Sequence, residues 1–260
     1  MSDASQPAQS TPSDLTFLDT AGGGRIAYCR AEGRGPGIVF CGGFMSDMTG
    51  TKALALEAHA KRRGQGFLRF DYRGHGQSSG RFADGTIGTW KDDTLAVFDT
   101  LTEGPQVLIG SSMGGWIALL LALERPDRIA GLIGIAAAPD FTEDLMWGQF
   151  DEAARKTLRT DRVLHQPSDY SDEPYTITMD LIEDGRRHLL LRSPIPITAP
   201  VRLLQGMQDS DVPYQHALAL AERLESDDVQ VRLIKNGDHR LSTDQDLAIL
   251  CHTLDSLLPA

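Results

Sequence analysis

Cysteine is scarce in this sequence: Cys29, Cys41 and Cys251 are the only three in 260 residues, scattered and odd in number. That set excludes a disulfide framework and a cysteine zinc site, and suits buried thiols in a reducing compartment. Positive charge is also in deficit, with 25 Lys and Arg against 36 acids, a formal charge of −11. A basic surface for phosphate backbones is therefore not expected, and neither is a nucleic-acid partner. No apolar run approaches the roughly 20 residues that cross a bilayer, so stable membrane insertion is not expected. The opening MSDASQPAQSTPSD has neither a basic start nor an apolar signal core. These absences lead to the expectation of a cytosolic globular protein with residues 1–14 as a disordered tail.

What remains is an ordinary globular composition, 41% hydrophobic with 26 glycines, and a length that suits one α/β domain over residues 15–260. LTFLDT and RIAYCR read as two short strands joined by a glycine turn. Gly37–Cys41, Phe67–Tyr72, Val107–Gly110, Ile129–Ala137, Val201–Leu204 and Val229–Ile234 are further strand candidates. Between them, residues 51–63, 87–102, 114–124 and 243–257 read as helices, the first ended by Gly64 and the last entered by a capping box of Ser242 and Gln245. Strands alternating with helices predict a mostly parallel central sheet flanked by helices. Residues 140–190 interrupt the alternation and are too long for a simple connection. They hold 12 acids against six Lys and Arg. Phe141, Leu145, Met146, Trp147 and Phe150 are spaced to share one helical face. The interval is expected to be an inserted helical cap, with Trp147 and Met146 as candidate substrate-binding residues.

The sharpest local signal is Gly110-Ser111-Ser112-Met113-Gly114, which fits G-x-S-x-G between an apolar strand and a helix. That is the nucleophile elbow of α/β hydrolases, a tight turn that presents the central serine, Ser112. A serine of this kind needs a base, and the fold's order asks for an acid and then a histidine after later strands. Asp209 follows Val201–Leu204, and His239 follows Val229–Ile234. Asp211 competes with Asp209, but its place before Pro213 suits a helix cap better. An oxyanion site needs two backbone donors, expected at Met113, after the nucleophile, and at Phe44, in the Gly42-Gly43-Phe44-Met45 loop.

With these residues in view, the sequence resembles the serine α/β-hydrolase superfamily. GTKALALE at 50–57, FDYRGHGQSSG at 70–80, GSSMGGW at 110–116, SPIPI at 193–197, RLLQGMQDSDVP at 202–213 and DHR at 238–240 carry a narrower likeness. They are similar to the mitochondrial palmitoyl-protein thioesterases of the α/β-hydrolase-domain group, also described as acyl-glucuronide esterases. The resemblance implies an α/β-hydrolase fold and cleavage of acyl esters or thioesters through an acyl-enzyme, with Ser112, Asp209 and His239 as triad. It implies a small-molecule or acylated-protein substrate and no metal or other cofactor. The opening residues lack a basic, Ser-rich transit segment, so a cytoplasmic, bacterial-type form is expected. Ser112 argues against dehalogenases and epoxide hydrolases of this fold, which carry aspartate at the elbow. A carbon–carbon bond hydrolase, a peptidase and a non-catalytic ligand-binding protein stay open as alternatives. The sequence sets no oligomeric state.

Overall fold

The central strands are apolar on alternate residues and on both faces, so each face must be covered. In the computed structural model, which describes residues 15–20, 23–166 and 175–259, both are covered by helices. The tail expected over residues 1–14 lies outside those residues. Ten strands and seven α-helices are described. They run β1 (Thr16–Asp19), β2 (Arg25–Ala31), β3 (Arg34–Cys41), α1 (Thr51–Arg63), β4 (Gln65–Phe70), α2 (Ile87–Leu101), β5 (Gln106–Ser111), α3 (Met113–Glu124) and β6 (Ile129–Ile135). After them come α4 (Glu152–Asp161), β7 (Val163–Gln166), β8 (Tyr175–Thr178), α5 (Met179–Gly185), β9 (Val201–Gly206), α6 (Tyr214–Arg223), β10 (Val229–Ile234) and α7 (Asp244–Asp255).

Eight strands form one sheet in the order β1-β2-β4-β3-β5-β6-β9-β10. β1–β2 and β2–β4 pair antiparallel, and every later pairing is parallel. Side-chain alternation splits the core in two. Ile38 and Phe40 of β3, with Val107 and Ile109 of β5, meet Leu56 of α1 and Leu250 and Leu254 of α7. Val39, Cys41 and Leu108 face the other way, toward Trp90 and Phe98 of α2, Trp116 of α3 and Leu220 of α6. Burial on both sides is why these strands read as continuous apolar runs. Helix α3 is buried from Met113 to Ala122, as befits a helix apolar all round. Cys41 is an inert packing thiol, its pKa pushed up to about 12 by burial.

Two helix entries differ from the sequence reading. The box that starts α7 is Thr243 with Asp246, one residue later than Ser242 and Gln245. Asp246 can return a hydrogen bond to the Thr243 amide as well as a glutamine could, and Ser242 instead bonds the Arg240 carbonyl. Helix α6 has Pro213, not Asp211, at its N-cap position.

Between β6 and β9 the chain builds the cap, and helices are only part of it. A π-helix at Thr142–Trp147 and α4 are followed by the antiparallel pair β7–β8, then α5. Asp151 and Thr178 cap α4 and α5. The π-helix turns more widely than 3.6 residues, which breaks the expected single apolar face. Phe141 joins the main core against Trp116, at 5.7 Å between rings. Trp147 packs against a separate cap cluster of Phe150, Leu158, Ile177, Met179 and Ile182. The cap is tied to the domain by Asp140, fully buried at φ +60°, whose carboxylate accepts the amides of Leu190 (2.7 Å) and Leu191 (2.9 Å).

Candidate active site

The carboxyl ends of β3, β5, β9 and β10 lie along one edge of the sheet, with β6 between β5 and β9, and the residues that follow them converge there. Such an edge is where ligands bind in open α/β sheets. Ser112 joins β5 to α3 at φ +53°, ψ −119°, a conformation that side-chain-bearing residues rarely adopt. The flanking glycines have a steric reason. A Cβ on Gly110 would lie 2.3 Å from the Gly114 carbonyl oxygen, and one on Gly114 would lie 2.1 Å from that of Cys41. No larger residue fits either position with the turn intact.

His239 bridges the two partners expected for it. Its Nε2 lies 3.1 Å from Ser112 Oγ, and its Nδ1 lies 2.9 Å from Asp209 Oδ2. The carboxylate of Asp209 is saturated: Oδ2 also accepts Gln205 Nε2 at 2.9 Å, and Oδ1 accepts the amides of Asp211 and Val212 at 2.9 and 2.8 Å. Burial alone would raise its pKa, but the hydrogen bond and charge of His239, with the two amides, outweigh burial and hold it below the usual range. An ionised acceptor at Nδ1 places that ring proton toward Asp209 and leaves Nε2 as the acceptor for the Ser112 hydroxyl. Asp211 lines the cavity and lends its amide, not its carboxylate, to Asp209. Asp209, Asp211 and His239 offer ligand atoms within 4.8 Å of one another. A metal ion there would have to displace hydrogen bonds that Asp209 and His239 already make.

The loop after β3 closes over the serine. Gly43 lies against the nucleophile: a Cβ placed on it would be 3.6 Å from that of Ser112, an ordinary contact distance. Tyr72 donates its hydroxyl to the Gly42 carbonyl at 3.2 Å, and Ser46 donates to that of Gly43 at 2.8 Å. The Phe44 ring is held edge-on by Phe82 at 4.8 Å and Phe141 at 5.7 Å. Met113 opens α3, where the first amides have no acceptor within the helix. Phe44 and Met113 thus flank Ser112, on the loop and the helix expected to carry them.

A cavity of about 680 Å³ stands over Ser112 and His239. Phe44, Phe141, Leu145, Met146, Ile177 and Val212 give it an apolar side, while Asp47, Lys52, Asp211 and Arg240 line its polar side. Met146 is on this wall. Trp147 is not among the lining residues: Arg186, Arg159 and Arg155 lie over its ring at 4.9, 5.2 and 5.6 Å to the centroid. Sequence reasoning missed Gln205 and Tyr72. Gln205 is the last but one residue of β9, four residues before Asp209, and a polar residue so near the end of a buried strand was the available signal.

The fold and the elbow together define an α/β hydrolase with a serine at its elbow. The α/β-hydrolase-fold family model matches residues 38–181, and the chain belongs to that family. It is a hydrolase. It is 41% identical over 245 residues to the mitochondrial palmitoyl-protein thioesterase ABHD10 of Bos taurus, covering 94% of this chain and 80% of that one. The human counterpart is 40% identical over 253 residues, covering 97% and 82%. Among solved structures, mouse α/β hydrolase domain-containing protein 10 superposes with a TM-score of 0.87 at 42% identity, covering 94% of this chain and 97% of that one. A putative hydrolase from Agrobacterium vitis gives 0.91 at 40% identity, covering 94% and 98%. The expectation of a cytoplasmic protein is overturned by the curated relatives, which are named as mitochondrial proteins. Among the described residues, no helix is long and apolar enough to cross a membrane.

Proposed function

We propose that this hydrolase cleaves acyl thioesters and esters, including those of acylated proteins, through an acyl-enzyme on Ser112. The single observation that carries the reading is the continuous hydrogen-bonded path from Ser112 Oγ through His239 to Asp209 beneath the cavity. His239 Nε2 takes the serine proton as Oγ attacks the acyl carbonyl, and the resulting oxyanion is held by the amides of Met113 and Phe44. The imidazolium, steadied by Asp209, returns that proton to the departing thiolate or alkoxide. Water, deprotonated by the same His239, then releases the acid and restores Ser112. The reaction draws on these side chains and amides alone. The apolar wall with Met146, Leu145 and Phe141 suits the acyl chain, and the thioesterase name of the relatives supports the substrate class.

The test combines a fluorophosphonate probe with a matrix of acyl lengths on oxygen and sulfur leaving groups. Wild type is expected to label at Ser112 and turn over acyl thioesters. Ser112→Ala is expected to lose labelling and roughly four or more orders of magnitude in rate. An active Ser112→Ala variant, or a labelled wild type that turns over neither esters nor thioesters, overturns the reading.

A further inference from the structure

The turn that carries His239 is strained and held from outside. Two residues past the imidazole, Leu241 stands at φ +45°, a left-handed conformation unfavourable for a leucine. Three contacts keep it there. The Leu241 amide donates to Asp238 Oδ1 at 2.9 Å, and the Leu241 side chain is buried in the core beneath α1. The third contact crosses 188 residues: Lys52, in the first turn of α1, donates its ammonium to the Arg240 carbonyl and lies 3.4 Å from Ser242 Oγ. Ser242 Oγ in turn donates to that same Arg240 carbonyl at 2.9 Å. The carbonyl next in the chain to His239 is thus gripped from two sides.

We infer that Lys52 is a positioning residue for His239: its ammonium clamps the Arg240 carbonyl and so keeps the imidazole in line between Asp209 and Ser112. This inference rests on the triad reading above and deepens it. A 3.1 Å contact from His239 to Ser112 leaves little slack, and a shift of about 1 Å in such a group costs on the order of a hundredfold in rate. The charged groups around Lys52 are Asp238 and Arg240 on the His239 turn, Asp246 on α7 and, on the wall of the same cavity, Asp47, Asp211 and His239. Burial draws the ammonium down to about 8, with the Arg240 charge adding to that pull and Asp238 and Asp246 opposing it. The clamp therefore loses its charge, and most of its strength, as the pH rises through that value. Arginine in its place keeps its charge throughout.

The experiment measures kcat and KM for a neutral acyl ester between pH 6 and 9.5, with the rate of fluorophosphonate labelling, in wild type, Lys52→Met, Lys52→Arg and Ser112→Ala. Lys52→Met is expected to lose about 10- to 100-fold in kcat and in labelling rate at pH 7, with KM changed less than about threefold. Lys52→Arg is expected to recover activity to within about fivefold, and to lose the decline that wild type shows above pH 8. A Lys52→Met variant within twofold of wild type overturns the inference, as does an alkaline decline unchanged in Lys52→Arg. That second criterion does not depend on how well the Met variant folds. With Ser112→Ala inert, either outcome removes the clamp and leaves the triad standing. An active Ser112→Ala removes both.

Discussion

The floor of the cavity and the cap above it are held by different kinds of contact. On the floor, each site residue sits just beyond a strand of the one sheet, and the acid finds its partners near in the chain or on the turn after the neighbouring strand. Asp209 takes three of its hydrogen bonds from Gln205, Asp211 and Val212. The cap instead hangs on long-range polar pins. Asp140 reaches Leu190 and Leu191, and Asp184 accepts the Gly88 amide at 2.6 Å from 96 residues away. Arg192 and Arg186 pair with Asp144 and Glu143 across the cap's two ends. Rigid strands define where the chemistry lies, and a separately built layer shapes what enters. If that division is right, floor substitutions act on rate, while cap substitutions act on stability or on chain-length preference.

The largest effect should come from the acid of the floor. Asp209→Asn is expected to lower kcat by roughly 10⁴, because an amide no longer holds the Nδ1 proton and favours the wrong tautomer of His239. Asp211→Asn keeps its backbone contribution to Asp209 and should lose less than about tenfold. Steady-state kinetics on one ester distinguishes them, and equal losses would break the assignment of Asp209.

In the cap, Asp140→Ala removes the acceptor of two buried amides. Each unsatisfied amide costs about 1–3 kcal/mol, partly offset by releasing a buried carboxylate whose pKa burial has raised. A net loss of about 2–4 kcal/mol in urea unfolding is expected, with floor kinetics on short acyl esters changed only a few-fold. A stable variant with a collapsed rate on acetyl esters would contradict the division between layers.

The floor also carries an acid-sensitive group. His75 is buried among Tyr72, Phe82 and Trp90, and among the described residues its Nε2 has no partner. Burial lowers its pKa to about 4 from an ordinary 6.5, only weakly opposed by the Arg73 carbonyl. The folded state thus prefers the neutral ring. The stability this gives is intact above about pH 6.5 and is lost as the pH falls from there toward 4, roughly 3 kcal/mol in all. Unfolding free energies measured between pH 7 and 4 should show this slope in wild type and a shallower one in His75→Phe. Identical slopes would exonerate His75.

Much of this was legible from residue order, for a physical reason. Strands β5 and β6 and helix α1 follow from apolar runs and from Gly64, which ends α1 in the left-handed conformation. The elbow announces itself because its glycines are sterically obligatory. The polar pins were not legible. Asp140 reads as an ordinary turn acid after Pro139, since its partners are amides, and every residue but proline offers one. The phase of residues 141–150 was misread because a π-helix leaves no mark in composition, and the cap's strands because β7 and β8 are four residues each.

That misreading leads to the smallest effect and the finest test of the comparison. Met146 lines the cavity and also touches the cap cluster, whereas Trp147, its neighbour, packs on that cluster under three guanidinium groups. A methylene transferred from water to an apolar wall is worth about 0.8 kcal/mol, so a methionine that touches two or three methylenes of a bound chain shifts its discrimination measurably. Met146→Ala should lower kcat/KM for long acyl chains by about three- to tenfold relative to acetyl, bending the chain-length profile. Trp147→Ala should lower thermal stability, because it removes a large partly buried ring and its contacts with Arg155, Arg159 and Arg186, while its chain-length profile runs parallel to wild type. Profiles of kcat/KM from acetyl to palmitoyl for the two variants settle the matter. A bent profile for Trp147→Ala and a parallel one for Met146→Ala would place the acyl chain on the other side of the π-helix and undo the cavity wall described above.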